Sequence, residues 1–296
     1  MRDYANINVF FRRYFPLAVY LLSRLMDLVM PSEEVYCAQS SLQKIRIADR
    51  AGLRILRFGE GETPIQACIS LKNPQRLIMA CSHLMLAALY LNPQPKKILI
   101  LGLGGGVLAR SLAQILPQSD ITSVEIDPLV AHVAQTYFNF IPNSRQHIVI
   151  EDGRKYIDQA QQAGQQYDLI MLDAYDAHYI PDSLMTLEFL QSVKALLTSS
   201  GVLAANTFSL SKLYQQESAT YTALFGEFYN LKFNNRIILA KKNGLPSLSI
   251  IEQNSIHLEG QFKPLGVKSK WLLKLFTTTP DWDSQSLFLR DEASEC

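Results

Sequence analysis

Hydrophobic residues along this 296-residue chain change their period as the sequence advances. Between Ser41 and Ser70 they alternate with polar residues: Ile45 and Ile47 flank Arg46, Gly52 opens GLRILRF, and Gly59 to Pro64 makes a further turn. A period of two marks half-buried strands, so two or three antiparallel strands are expected here, forming a small N-terminal β module. From Pro74 the period lengthens. Leu77, Ile78, Cys81, Leu84, Met85, Ala88 and Leu89 share one helical face, which Asn92 and Pro93 end. After Lys97, short apolar runs (98–101, 121–126, 148–150, 167–172 and 202–206) are separated by helical patterns, such as the stripe Leu129, Val130, Val133, Ala134, Tyr137 and Phe138. That rhythm predicts an α/β fold with a parallel sheet covered on both faces. Tyr229 to Lys242 reads as two strands turning near Asn234 and Asn235, an antiparallel edge. The pattern weakens from Leu245, and the tail beyond Asp281 reads as loose. The expected divisions are an apolar helical segment over 1–33, the β module over 34–73, the main α/β domain over 74–245 and a C-terminal extension over 246–296.

The first division rests on Leu17 to Met30, a strongly apolar stretch behind Arg12 and Arg13. It is about one turn short of a membrane span and contains Arg24 and Asp27. A helix buried against a subunit or the main domain is the expected reading, with a membrane-surface helix as the lesser one. Composition adds little except exclusions. With 48% apolar residues and 14 glycines the chain is neither disordered nor collagen-like. Its 28 basic residues against 27 acidic ones give no general reason to bind nucleic acid. Cys37, Cys68, Cys81 and Cys296 form no CxxC pair and no zinc spacing, so they read as reduced thiols of a cytoplasmic protein, and no metal is expected.

Ligands of an open α/β sheet bind at the C-terminal ends of its strands, so the residues closing each apolar run are the informative ones. The first run ends in Gly102-Leu103-Gly104-Gly105-Gly106. Val107 stands where a dinucleotide fingerprint needs glycine, while the GxGxG spacing is met, which favours an adenosyl sulfonium ligand. The second run ends at Glu125, 23 residues after Gly102, a suitable offset for a carboxylate that accepts two ribose hydroxyls. Asp127 is better placed to cap the next helix. After the third run, Asp152 of Glu151-Asp152-Gly153 can accept from an adenine amine or cap a helix, and both can hold. The fourth ends in DLIMLDAYDAHYIPD, with Asp173 and Asp176 at the strand mouth. Paired carboxylates beside a sulfonium site suit an amine: one holds the ammonium group and the other takes a proton. Turn-stabilising aspartates are the alternative. From Lys96 to Phe208 there are 7 basic and 11 acidic residues, which favours a cationic substrate over nucleic acid.

The glycine loop, VEID, EDG and DAYD, in this order and spacing, resemble the spermidine synthase family of aminopropyltransferases from Gln39 to about Asn206. The resemblance implies a class I AdoMet-dependent transferase domain, a Rossmann-like doubly wound sheet behind the small antiparallel β module, commonly as a homodimer. It also implies transfer of an aminopropyl group from decarboxylated S-adenosylmethionine (AdoMet) to putrescine or a related amine, releasing methylthioadenosine. On that pattern Asp173 is the proton acceptor, Asp176 binds the amine, and Gln43 and Gln66 are further substrate residues. Gly102, Gly104, Gly105, Gly106, Glu125, Asp152 and Gly153 face the donor. The sequence departs from the pattern at three points and resembles a divergent bacterial branch. Gly105 replaces the aspartate that holds the donor's amine, RLIMACSHLM replaces a Tyr-His-Glu cluster with His83 as a poor substitute, and Ala177 and Tyr179 replace Pro and Gly. Two alternatives follow: a methyltransferase using AdoMet, and a homologue that binds the nucleoside without catalysis.

Overall fold

The computed structural model describes residues 32–61, 63–176, 179–283 and 285–291. The apolar stretch Leu17–Met30, and with it the buried-helix and membrane-surface readings, lies outside the described residues, as do Ala177 and Cys296.

Four strands, β1 (Glu33–Gln39), β2 (Lys44–Arg50), β3 (Leu53–Phe58) and β4 (Ile65–Ser70), form an antiparallel sheet in chain order. The expected alternation is there, since Ile45 and Ile47 are fully buried while Arg46 reaches out to the Gly59 carbonyl at 2.8 Å. Ala51 and Gly52 join β2 to β3 with φ of 52° and 76°, the primed turn whose twist suits a hairpin. One strand exceeds the expectation: β1, EEVYCAQ, has no fully buried residue and therefore no clear apolar period.

The second sheet has seven strands: β5 (Lys97–Leu101), β6 (Asp120–Glu125), β7 (Gln146–Ile150), β8 (Tyr167–Leu172), β9 (Leu197–Phe208), β10 (Tyr229–Lys232) and β11 (Asn235–Lys241). Their order is β10-β11-β9-β8-β5-β6-β7, and β5 to β9 are mutually parallel. Two buried clusters show the double winding directly: Ile98 and Ile100 of β5 point into one, Leu99 and Leu101 into the other. The expected antiparallel edge is corrected in one respect. The antiparallel strand is β11, which lies inside the sheet between β9 and β10, so the edge strand β10 runs in the common direction.

The helix expected from Pro74 begins only at Ala80. Leu77 is instead held in extended backbone, bridging Ile69 and donating its N–H to Leu265 at 3.0 Å, so its burial comes without helix. Helix α1 (Ala80–Leu86) continues as a 3-10 turn over Ala87–Tyr90. Around the central sheet lie α2 (Val107–Ile115), α3 (Pro128–Tyr137), α4 (Gly153–Gln162), α5 (Leu187–Ala195) and α6 (Tyr214–Phe225). Beyond the sheet come α7 (Leu248–Phe262) and α8 (Ser269–Leu273). Ile251, Leu258 and Phe262 of α7 join the same core cluster as Ile45 and Ile98. The tail is not loose as far as Asp291. Leu187 donates its N–H to the Leu289 carbonyl at 2.8 Å, and Arg154 pairs with Asp291. Among the described residues no helix is long and apolar enough to cross a membrane.

Candidate active site

Strand order reverses at β5, with β6 on one side and β8 on the other, and a cavity of about 450 Å3 opens there at the strands' C-terminal ends. The antiparallel sheet forms its other wall through Phe58, Ile65 and Gln66.

The glycine loop between β5 and α2 is shaped mostly by protein. A Cβ on Gly102 (φ +94°) would stand 2.3 Å from the Asp173 carbonyl, so glycine lets the mouths of β5 and β8 meet. A Cβ on Gly104 (φ +52°) would come no nearer than 3.7 Å to the Gln66 carbonyl, and Gly104, like Gly102, lines the cavity. Gly105 and Gly106 do not. A Cβ would meet Ala67 at 2.7 Å in the first case and Phe140 at 2.6 Å in the second. At both positions packed neighbours fill the place a side chain would take, and neither residue lines the cavity.

Glu125 ends β6 with its carboxylate at the cavity, accepting from the Leu103 and Asp127 N–H groups at 3.0 Å each. Burial pushes its carboxyl above the usual range, against the pull of those two donors. Asp127 caps α3 by accepting from Leu129 at 2.9 Å, as expected. Its other oxygen takes a hydrogen bond from Ser40 at 2.5 Å, and Ser40 in turn accepts from the Gln43 N–H at 3.0 Å. The helix cap thereby fixes the turn that brings Gln43 to the cavity. Asp152 lines the cavity with Gly153 and also caps α4 by accepting from Lys155 at 2.9 Å, which bears out its helix-cap reading.

Asp173 leaves β8 directly into the cavity and accepts from the Asn206 side-chain amide at 2.8 Å. Burial pushes its carboxyl up to about 6, the Asn206 hydrogen bond working the other way. Asp176 lies at the exposed rim, where its Oδ1 accepts from the Tyr179 N–H at 2.8 Å. Its carbonyl accepts from the Gln66 side chain at 3.4 Å, joining two expected substrate residues across the cleft. His83, read as a poor substitute, does not line the cavity and lies by the Leu77 carbonyl (3.2 Å) and Trp271, edge to face.

The lining side chains that the pattern reading missed include Asn206 and Phe208 of β9, Tyr175 and Cys81. Asn206 closes an apolar run, so the strand-end rule that found Asp173 points equally to it. Cys81 carried no such signal, because its position on a helical face reads as core. Burial foremost, with Asp173 nearby, pushes its thiol up to about 12, so it stays protonated. Among the described residues no group of three or more histidine, cysteine or acidic side chains could hold a metal ion.

Comparison with known proteins places this geometry in a family. Residues 79–230 match the spermine/spermidine synthase domain. A polyamine aminopropyltransferase from Vibrio vulnificus is 40% identical over 93% of this chain and 96% of its own. A probable spermidine synthase from Corynebacterium glutamicum superposes over 88% of this chain and 98% of its own, with a TM-score of 0.67 at 18% identity. Human methyltransferase-like protein 13, solved with SAH, covers 70% of this chain and 97% of its own at 27% identity and a TM-score of 0.55. With the family domain matched over half its length and a relative alike over nearly all of it, this chain belongs to the spermine/spermidine synthase family.

Proposed function

We propose that this chain is an aminopropyltransferase that moves the aminopropyl group of decarboxylated AdoMet onto a primary nitrogen of putrescine or a related small amine, releasing methylthioadenosine. The observation that carries this reading is Asp173: a carboxylate with a near-neutral affinity for its proton, held by Asn206 at the mouth of β8, in one cavity with Glu125 and Asp152. The donor's adenosine end fits Glu125 for the ribose and Asp152 for the adenine. Its aminopropyl end has no acid at residue 105, where the side-chain direction leads into Ala67 and Phe138.

Asp176 and Gln66 hold the acceptor's ammonium group at the rim, with Gln43 beside them. The amine nitrogen loses a proton to Asp173 and attacks the methylene next to sulfur, breaking the carbon–sulfur bond as the carbon–nitrogen bond forms. Because the sulfonium is already a good leaving group, the chain's contribution is orientation and removal of one proton. Free thiols at Cys37, Cys68 and Cys81 support a reducing compartment, and on that ground we place the enzyme in the cytoplasm. A homodimer rests on the family resemblance alone.

A second reading is methyl transfer from AdoMet, favoured by Gly105 and by the likeness to the SAH-bound human protein. One experiment separates the readings: incubation with each donor and a panel of di- and polyamines, with mass detection of products. Aminopropylated amine and methylthioadenosine are expected from the decarboxylated donor. Methylated product from AdoMet would replace the proposal with the second reading, and methylthioadenosine binding without turnover would leave a non-catalytic homologue.

A further inference from the structure

Two tyrosines anchor the segment that carries both acidic residues to the neighbouring strand and helix. The Tyr175 hydroxyl donates to the Asn206 carbonyl at 2.5 Å, and its ring meets Phe208 edge-on with centroids 5.3 Å apart. The Tyr179 ring packs on Phe208 as well, tilted, with centroids 5.4 Å apart. Its hydroxyl donates to the buried carboxylate of Glu217 on α6 and lies 2.6 Å from the Ser211 hydroxyl. The Tyr179 backbone then grips Asp176 twice: its N–H donates to the Asp176 carboxylate at 2.8 Å, and its carbonyl accepts the Asp176 N–H at 3.0 Å. Behind this, Glu217 faces Arg236 at 3.8 Å, and both are buried. Arg236 is fixed by the Asn230 side chain at 2.9 Å, the Ser218 hydroxyl at 2.8 Å and the face of Tyr214 at 4.1 Å.

We infer that Tyr179 is a positioning residue for the acceptor amine, a latch that holds Asp176 by its backbone while its ring and hydroxyl are locked on Phe208, Ser211 and Glu217. The family pattern has glycine here, which can form the same turn but cannot reach α6. In this chain the geometry of the amine-binding carboxylate is therefore set by contacts more than thirty residues away in sequence, at Ser211 and Glu217. The functional consequence rests on the reading of Asp176 as the ammonium-binding residue. The latch itself rests on the geometry.

The test compares Tyr179→Phe, which removes only the hydroxyl, with Tyr179→Ala, which also removes the ring from Phe208. Michaelis constants for putrescine and for decarboxylated AdoMet are measured, together with amide hydrogen exchange of the peptide covering 173–181. The amine KM is expected to rise about tenfold in Tyr179→Phe and further in Tyr179→Ala, with kcat and the donor KM within twofold of wild type. Exchange at the Asp176 and Tyr179 amides is expected to quicken at least fivefold. An unchanged amine KM in both variants, or an equal rise in the donor KM, would overturn the positioning role. Unchanged exchange would overturn the latch. If wild-type protein turned over no amine, the aminopropyl reading would fall while the exchange data still decided the latch.

Discussion

Asp173 sits where two demands on a carboxylate conflict. A proton acceptor should be ionised near neutral pH yet bind a proton readily, and removal from water raises its proton affinity while the Asn206 amide limits the rise. Its folded-state value near 6 lies above that of an unfolded aspartate, so the native state binds the proton more tightly. The ionised form therefore costs stability: nothing below about pH 4, progressively more up to about pH 6, and a constant amount above. Asp173→Asn is expected to raise the protein's stability by about 1–3 kcal/mol at pH 7.5, with the gain vanishing near pH 4. The same change should lower turnover by about 100-fold or more, the usual worth of a general base. Thermal unfolding across pH and release of methylthioadenosine measure the two halves. A variant of wild-type turnover would remove Asp173 from the mechanism. With Asp173 as the proposed base, which works only when deprotonated, kcat/KM for the amine is expected to fall as pH drops through about 6 and to hold above it until the amine itself titrates.

At the scale of elements, the glycine loop is a joint between strands before it is a ligand cradle. The chain's rhythm revealed that β5 ends in a glycine turn beside a helix, and the strand-end rule led to Glu125, Asp152, Asp173 and Asp176, all of which reach one cavity. Whether each glycine faces ligand or protein depends on non-local neighbours: Phe140, Ala67 and the Asp173 backbone stand against Gly106, Gly105 and Gly102, and no local pattern names them. The same limit explains the helix misplaced at Pro74, since Leu77 is buried by pairing with Ile69 and Leu265 rather than by helical winding. It also explains β1, whose partner β2 supplies the regularity its own side chains lack. Two substitutions follow from the joint. Gly102→Ala would push a methyl into the Asp173 backbone and force an L-residue to φ +94°, so a loss of at least about 2 kcal/mol is expected, with Asp173 displaced and turnover reduced. Gly105→Asp would write the family's usual residue into the loop, yet its Cβ would collide with Ala67 and Phe138. It is expected to lower the unfolding temperature without tightening donor binding by calorimetry. Tighter binding at unchanged stability would show that the loop readily reorients.

On the scale of the whole molecule, the overall neutrality of the chain is an average. An acidic segment of 7 basic and 11 acidic residues, Lys96 to Phe208, supplies most of the cavity, and the remainder is mildly basic. One core cluster joins the N-terminal sheet, one face of the central sheet and α7, so the cavity's two walls are parts of one packed body. The C-terminal tail completes the other face. Trp282 stacks on Phe228 with centroids 5.0 Å apart and planes 9° from parallel, and the Arg236 guanidinium lies 5.9 Å from its ring. Asp281 meanwhile bonds the Tyr214 hydroxyl at 2.6 Å and pairs with Lys232. Burial weakens the Arg236 hold on its proton, Tyr214 and Glu217 opposing, so a cover of aromatic rings keeps water from a charge that already has little solvation to lose. Removing that cover admits water beside Arg236 and deletes a stacked ring pair. Trp282→Ala is therefore expected to cost about 2–3 kcal/mol, below the range for a fully buried tryptophan because Trp282 is only half-buried. Calorimetry should register a fall of several degrees in the unfolding temperature. A Trp282→Ala protein that melted with wild type would mean that the tail merely lies on α6, and that Arg236 is secured by Tyr214, Asn230 and Ser218 without it.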